Sequence, residues 1–179
     1  MKHVDIRTQP IIQAERFVLR PVRPSDLGAL VLSVSDKRVA EATRSIPHPL
    51  PPGVTEAFID RAMAEDRNED VWVMDSLNED QDDVLGVITL NALDRGQSQL
   101  GYWVSPGFWN SGIASEAVCA LIEANPQANS TIFAEVFQDN PASARVLTHA
   151  GFEYIGDAES HSVARGANVP TWTYIRKMA

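Results

Sequence analysis

Short stretches of this chain alternate hydrophobic and polar residues, while others place hydrophobic residues three and four positions apart. The first pattern is typical of strands with one buried face, and the second of helices with one buried face. The alternating or short apolar stretches predict strands at residues 15–21, 71–74, 84–93, 99–104, 131–137, 152–156 and 171–177. The wider spacing predicts helices at residues 25–34, from Thr55 onward, at 112–124 and at 141–150.

Proline and small polar residues separate these elements. Residues 46–53 (IPHPLPPG) are a predicted loop, because proline supplies no amide donor to a helix or a central strand. The polar residues 78–83 and 94–98 are predicted hairpin connections. Thr55 is the predicted N-terminal cap of the helix that follows the proline-rich loop.

The order of the predicted elements indicates the fold class. Two helices near the start precede a meander of strands, and the chain then continues as strand–helix–strand–helix–strand–strand. Such a mixed order suits one sheet with helices on both faces, an α/β architecture of the mixed α+β kind. At 179 residues the chain has the length of one domain, so we expect a single domain over residues 1–179.

Composition narrows the choice of partners and compartment. Asp and Glu outnumber Lys and Arg by 24 to 15, for a formal net charge of −9, whereas a duplex-binding protein needs a basic surface. No apolar stretch is long enough to cross a bilayer, and residues 1–10 have no apolar run after Lys2. Cys119 is the single cysteine and cannot form an internal disulfide. We therefore expect a cytoplasmic protein without nucleic-acid or membrane partners.

Residues 101–117 (GYWVSPGFWNSGIASEA) join a predicted strand to a predicted helix through a turn with Pro106 and Gly107. The start of a helix carries unpaired backbone N–H groups and the positive end of the helix dipole, an arrangement that binds phosphate. The small residues Ser111, Gly112 and Ala114 would let a pyrophosphate approach the backbone. Glycine and serine are also common in ordinary strand-to-helix turns, so this segment alone is weak evidence.

Residues 140–152 (NPASARVLTHAGF) form a second well-marked segment. Asn140 is a predicted helix cap, Pro141 suits the first helical position, and Gly151 can end the helix. Helix punctuation by itself explains these residues.

Together the two segments resemble the acyl-CoA-binding signature of the GNAT superfamily of N-acetyltransferases, in the form found in its RimJ/RimL-like branch. Residues 109–114 (WNSGIA) and 115–117 (SEA) are similar to the branch's loop and helix start. Residues 140–152 resemble its second motif, residues 16–21 (RFVLRP) its first strand, and residues 46–49 its substrate-side loop.

The resemblance covers residues 15–177 and implies the GNAT fold, a central mixed, mostly antiparallel sheet of about seven strands with helices on both faces. It implies transfer of an acetyl group from acetyl-CoA, as cosubstrate and without a metal, to a primary amine. The acceptor it favours is a protein or peptide N-terminal amine, and it also implies a homodimer. The family often has a basic residue at the position of Ser111. The expected affinity for the phosphate groups of acetyl-CoA is therefore lower.

The resemblance assigns acetyl-CoA binding to residues of both segments: Trp103, Val104, Trp109, Asn110, Ser111, Gly112, Ile113, Ala114, Ser115, Asn140 and Ser143. It implies that a backbone N–H near Trp103 or Val104 stabilises the oxyanion, and that Ser143 assists the leaving thiolate. In many GNAT enzymes a tyrosine assists the leaving thiolate. The predicted helix of Ser143 contains no tyrosine.

The sequence does not identify the general base or the residues that contact the acceptor. Glu135 and Glu41 are the candidate bases, with the face of Glu135 undetermined. His48 and Trp103 are candidate substrate contacts, although a solvent-exposed loop histidine explains His48 as well. Glu116 is interpreted as compensating the helix dipole.

Two alternatives remain beside the N-terminal amine. One keeps the chemistry and changes the acceptor to a polyamine, an antibiotic or an amino acid, which an acidic chain would also suit. The other is a non-catalytic sensor that binds acyl-CoA. Dinucleotide and nucleoside-triphosphate motifs are absent, and the four histidines and one cysteine have no metal-ligand spacing.

Overall fold

The structure is a computed structural model that describes residues 9–77 and 84–179, and the predicted connection at 78–83 lies outside them. Within the described residues the chain forms one eight-stranded sheet with the order β1-β2-β3-β4-β5-β6-β8-β7. The strands are β1 (Ile12–Gln13), β2 (Val18–Pro21), β3 (Glu69–Asp75), β4 (Val84–Ala92), β5 (Gln97–Val104), β6 (Thr131–Phe137), β7 (Glu153–Ser162) and β8 (Ala167–Lys177).

Helices cover both faces of this sheet. They are α1 (Leu27–Val34), α2 (Lys37–Ala42), α3 (Val54–Met63), α4 (Ile113–Ala124) and α5 (Pro141–His149). The helices α4 and α5 pack on one face, where Leu121 and Leu147 are fully buried. The helices α1 and α3 pack on the other face around Leu30 and Ile59. In the described part of the chain, no helix is both long and apolar enough to span a membrane.

The predicted mixed fold is confirmed, with three differences in its elements. The eighth strand is the two-residue β1, which is too short to produce a hydrophobic period. The sequence analysis missed α2, a six-residue helix that Asp36 caps by accepting a hydrogen bond from the Arg38 amide. The strand β7 extends well past its prediction, because it is exposed along nearly its whole length and carries no alternation.

The cap predicted at Thr55 is wrong. Gly53, with φ of 83°, is the N-cap of α3, and Thr55 lies inside the helix, where it is buried. The left-handed backbone at Gly53 turns the chain out of the proline-rich loop, and glycine adopts that conformation without steric cost.

A single parallel pairing interrupts an otherwise antiparallel sheet. Strands β5 and β6 pair over four residues each, from Gln97 and Thr131 to Leu100 and Ala134. Beyond that point β5 still pairs with β4 as far as Val104, and β6 with β8 as far as Phe137. The two strands therefore separate in the middle of the sheet. We call the opening between residues 101–104 and 135–137 the split.

A buried ion cluster holds β2 and β3 to the start of α1. The Arg20 guanidinium donates to both Asp26 carboxylate oxygens, at 2.7 and 2.9 Å, and to Asp75 Oδ2 at 2.7 Å. Its side chain is 10% exposed, and those of Asp26 and Asp75 are 4% and 12% exposed. Burial alone would raise the pKa of Asp75, but the hydrogen bonds from Arg20 and the Leu77 amide hold it below its usual value.

We predict that Arg20→Ala destabilises the fold strongly, because it leaves two buried carboxylates without their cation. The expected loss in the free energy of unfolding is about 3–5 kcal/mol, measured by urea denaturation at neutral pH. Arg145→Ala, which removes an exposed arginine of α5, should change it by less than about 0.5 kcal/mol. Since the folded-state pKa of Asp75 is lowered, the stabilisation is present above the unfolded pKa of about 3.9 and is lost as the pH falls through the folded pKa. Equal stabilities of the two variants would contradict the role of the cluster.

Candidate active site

The split exposes backbone groups of β5 that no neighbouring strand uses. The Ser105 N–H donates to Leu85 O at 2.8 Å, toward β4. The Trp103 carbonyl also faces β4. Its oxygen lies so close to Gly86 of β4 that a Cβ added to that glycine would be 2.3 Å away from it. Backbone groups of successive strand residues face opposite edges, so the N–H groups of Tyr102 and Val104 face the split.

The side chains of β5 serve both faces of the sheet. Tyr102 packs toward the cluster beneath α4 and α5, and Trp103 packs toward the cluster beneath α1 and α3. A cavity of about 260 Å³ lies on the α1 and α3 face and reaches the split. Its lining includes Phe58 and Leu50 beside Trp103, which gives one wall an apolar character.

Glu135 lines this cavity at the mouth of the split, directly after the last β6 residue that pairs with β5. Its Oε1 accepts hydrogen bonds from the hydroxyls of Ser160, at 2.5 Å, and Thr171, at 2.6 Å. Its Oε2 lies 3.6 Å from a guanidinium nitrogen of Arg44. The face of Glu135, which the sequence left undetermined, is therefore the cavity face.

A second carboxylate, Glu69, lines the same cavity and was missed by the sequence analysis. Burial raises the pKa of Glu69, and a hydrogen bond from Thr89 and the charges of Arg61 and Arg44 only partly oppose this. Both arginines also line the cavity, so two cations accompany its two carboxylates. Glu69 begins a strand in a polar stretch, which carries no signal of a site.

The segment between β5 and α4 presents the first amides of a helix. Asn110 and Gly112 have left-handed backbone conformations, with φ of 58° and 79°, and α4 then starts at Ile113. The amides of the first turn, from Ile113 to Ser115, have no partner inside the helix. The Trp109 indole donates to Val104 O at 2.7 Å, which fixes this segment against the end of β5.

Arg16 supplies a cation beside this loop. Its guanidinium donates to Ser111 O at 2.9 Å and to Glu116 at 2.7 Å, and its backbone N–H also donates to Glu116, at 2.6 Å. Glu116 thus pairs with Arg16 in addition to lying in the first turn of α4. A cation distant in sequence therefore lies beside Ser111, and it is already paired with Glu116.

On the opposite side of the split, α5 begins at the predicted cap. The Asn140 side chain accepts from the Ser143 amide at 3.4 Å, and Pro141 occupies the first helical position. The Ser143 hydroxyl lies 2.6 Å from the phenol oxygen of Tyr102. The helix of Ser143 contains no tyrosine, but Tyr102 of β5 places its phenol beside the Ser143 hydroxyl.

Two of the predicted residues lie apart from this arrangement. Glu41 is not among the residues that line the cavity, and its carboxylate lies 3.6 Å from the Lys37 ammonium on the same helix. His48 is half-buried in the loop beside the cavity but does not line it. The geometry favours Glu135 and Trp103 over these two for contact with an acceptor.

The tip of the β7–β8 hairpin fastens the cavity wall. Arg165 donates twice to Glu41 O, at 2.8 and 3.0 Å, and also to the Asp139 carboxylate. Its guanidinium lies 4.9 Å from the centre of the Phe137 ring. The Val163 N–H donates to Arg44 O at 3.0 Å. Arg165 thereby joins the end of α2 to the segment that leads into α5.

Comparison with known proteins agrees with this arrangement. A family model described as "Acetyltransferase (GNAT) domain" matches residues 16–153, and the chain belongs to this family. The chain is 27% identical over 174 residues to the uncharacterized N-acetyltransferase YoaA of Bacillus subtilis, covering 92% of this chain and 95% of that protein. The present chain is therefore an acetyl-CoA-dependent N-acetyltransferase.

Solved structures share the fold at low sequence identity. The ribosomal L7/L12 alpha-N-protein acetyltransferase RimL, in complex with coenzyme A, superposes with a TM-score of 0.81 at 20% identity, covering 94% of this chain and 98% of that chain. The spermidine N-acetyltransferase of Vibrio cholerae, in complex with CoA and spermine, superposes with a TM-score of 0.76 at 13% identity, covering 91% and 96%.

We predict that Arg165→Ala loosens the cavity wall without unfolding the protein, because it removes the contacts that hold the hairpin tip to α2 and to Asp139. Amide hydrogen exchange at Val163 and Thr43, whose N–H groups donate to Arg44 O and Ala40 O, should accelerate by about tenfold, as expected for the loss of roughly one hydrogen bond's stabilisation. Exchange in the core of α4 should be unchanged. Arg145→Ala is the matched control. If Arg165→Ala exchanges at the same rates as Arg145→Ala, other contacts hold the hairpin tip.

Proposed function

We propose that this enzyme transfers the acetyl group of acetyl-CoA to the N-terminal amine of a peptide or protein, by direct attack in a ternary complex. The observation that carries the proposal is the meeting of two features. The cavity on the α1 and α3 face opens onto the split, and the split presents unused N–H groups of β5. An amine in the cavity and a thioester in the split would therefore face each other across residues 101–104.

The proposed path of acetyl-CoA follows the unpaired backbone groups. The pyrophosphate binds at the first turn of α4, with Asn110 to Ser115 close to it and Arg16 as the nearby cation. The pantetheine arm lies in the split beside β5, and Asn140 borders its far side. Trp109 acts through its hydrogen bond to Val104 O, which fixes the loop, while Ile113 is buried beneath the loop.

The chemistry needs a neutral amine, a donor for the oxyanion and help for the leaving thiolate. Glu135 attracts the incoming ammonium group and receives its proton, directly or through water. Of the two backbone positions considered for the oxyanion, Val104 is favoured, because its N–H faces the split whereas that of Trp103 faces β4. Ser143 donates a hydrogen bond to the sulfur as the carbon–sulfur bond breaks.

The charges that line the cavity favour an N-terminal amine over a polyamine. Glu69 and Glu135 are accompanied by Arg44 and Arg61, so these four ionisable side chains have no excess negative charge. A polycation carries several ammonium groups, and each arginine would repel it. A peptide end carries one ammonium group and can place its carbonyl groups or an acidic side chain near the arginines.

Experiment can distinguish the N-terminal acceptor from the two alternatives, a small-molecule amine acceptor and a non-catalytic sensor. Related folds act on proteins in one case and on spermidine in another, as the names of RimL and the Vibrio cholerae enzyme state. A sensor without catalysis would bind acetyl-CoA and release no thiol with any amine. The homodimer and the cytoplasmic location stay predictions.

The first test is an acceptor panel with release of free thiol as the readout. We predict that short peptides with a free N-terminus are acetylated with a kcat/KM at least about tenfold above that of spermidine, since repulsion from two arginines opposes the polyamine. The rate should rise with pH as the α-ammonium group loses its proton, around its reference pKa of about 8. Peptides with a blocked N-terminus and one lysine are the matched controls. Preference for spermidine would contradict the N-terminal acceptor.

The second test concerns the proposed base. Glu135→Gln should lower kcat/KM by about a hundredfold or more, because the amide can neither attract the ammonium group nor accept its proton. Glu159→Gln is the matched control, since Glu159 is exposed on β7 outside the cavity. Glu69→Gln identifies the competing base, and a larger loss there than in Glu135→Gln would transfer the role to Glu69.

A further inference from the structure

A pair of hydroxyl groups joins β5 to α5 at the end of the split. The Tyr102 phenol oxygen lies 2.6 Å from Ser143 Oγ and 3.2 Å from the Ser143 carbonyl oxygen, so its single hydrogen has two acceptors within reach. Tyr102 lines the cavity described above, although its ring packs toward the opposite face of the sheet. The pair therefore joins β5, at the split, to the first turn of α5.

The Ser143 hydroxyl is not used for the helix itself. A serine or threonine in a helix commonly donates to a carbonyl of the preceding turn. Thr148, further along α5, does so with Ala144 O at 3.0 Å. Within the described residues, the hydrogen bond recorded for Ser143 Oγ is the one to Tyr102. Its orientation is thus set from β5.

The phenol remains a donor throughout the range in which the enzyme would work. Burial raises the pKa of Tyr102 to about 12, so the phenol keeps its hydrogen at neutral pH. When the phenol donates its hydrogen to Ser143 Oγ, along the shorter of the two contacts, and not to the carbonyl, the serine hydrogen is free to point elsewhere. A hydroxyl has one hydrogen, so this direction of donation is the one that frees Ser143 to act as a donor.

We propose that Tyr102 is a positioning residue that holds the Ser143 hydroxyl with its hydrogen directed at the thioester sulfur. This inference rests on the proposed function and adds a residue to it. The amine nitrogen forms a bond to the thioester carbon, the carbon–sulfur bond breaks, and its electron pair goes to sulfur. Ser143 donates a hydrogen bond to the developing thiolate while the proton of the amine goes to Glu135 or water. The thiol of CoA has a pKa comparable to the value of about 8.5 for cysteine, so a hydrogen bond suffices and no strong acid is needed.

A purely structural role for Tyr102 predicts different behaviour. If the ring only fills space between β5 and α5, Tyr102→Phe keeps the packing and leaves kcat unchanged. If the hydroxyl orients Ser143, the same substitution lowers kcat while the KM for acetyl-CoA stays the same, because the interaction strengthens only as the thiolate forms.

The test is a double-mutant cycle with Tyr102→Phe, Ser143→Ala and the combined variant, using the best acceptor of the panel. We expect Tyr102→Phe to lower kcat by about tenfold, with the KM for acetyl-CoA within twofold of the original. Ser143→Ala should cost more, and the combined variant should be no slower than Ser143→Ala, since Tyr102 acts through Ser143. Tyr154→Phe is the matched control, because its phenol bonds to Asp157 on the exposed face of β7. Thermal denaturation checks that every variant is folded.

A second readout does not depend on finding an acceptor. Ultraviolet absorbance of the thiolate reports the pKa of the CoA thiol when CoA is bound to the protein. We expect that pKa to lie lower in the original protein than in Tyr102→Phe, and to be unaffected by Tyr154→Phe. Unchanged kcat and unchanged thiol pKa in folded Tyr102→Phe, or losses that multiply in the combined variant, would overturn the inference. Failure of the proposed function would instead appear as absent transfer to peptides by the original protein.

Discussion

The site depends on the place where two neighbouring strands stop pairing. Strands β5 and β6 share four residues each of parallel ladder and then diverge, while their outer neighbours continue to pair with them. Backbone N–H groups in a sheet normally have partners, and a free N–H in a protein interior is costly unless a ligand takes it. The divergence therefore creates donors that are held rigidly yet lack a protein partner among residues 9–77 and 84–179. Helix starts and side chains gather around this opening, and we propose that acetyl transfer uses both.

Ionic contacts between distant parts of the sequence fix the walls of the opening. Arg20 holds β2 and β3 to α1 on the cavity side, and Arg165 ties the hairpin tip to α2 and to the segment before α5. Arg16 meets Ser111 and Glu116 at the start of α4. Each of these arginines has at least one partner that is adjacent in space and remote along the chain: Asp75 for Arg20, Glu41 for Arg165 and Glu116 for Arg16. The surroundings of the cavity and the split are thus held in place partly by side chains that no local pattern connects.

The sequence predicted most of the fold because local rules dominate there, and it predicted the site only where the site has a local motif. Alternation and helical spacing located every strand except β1, and the helices α1, α3, α4 and α5, but they gave no signal for the short α2 or for the exposed second half of β7. The α4 loop and the Asn140 helix were predicted as cofactor contacts from contiguous residues, and these assignments stay predictions. Glu69 and the bond between Tyr102 and Ser143 could not be predicted, since they depend on strand register and on burial. Only the sheet determines which face Glu135 occupies.

The most direct test of the central claim is a crystal structure of this protein with acetyl-CoA bound. The account predicts that the pantetheine arm lies between β5 and β6, with the thioester oxygen at hydrogen-bonding distance from the Val104 N–H and the sulfur near Ser143. The pyrophosphate should contact the amides that begin α4. An acetyl-CoA molecule bound outside the split, or a thioester oxygen that leaves the Val104 N–H without a partner, would contradict the account.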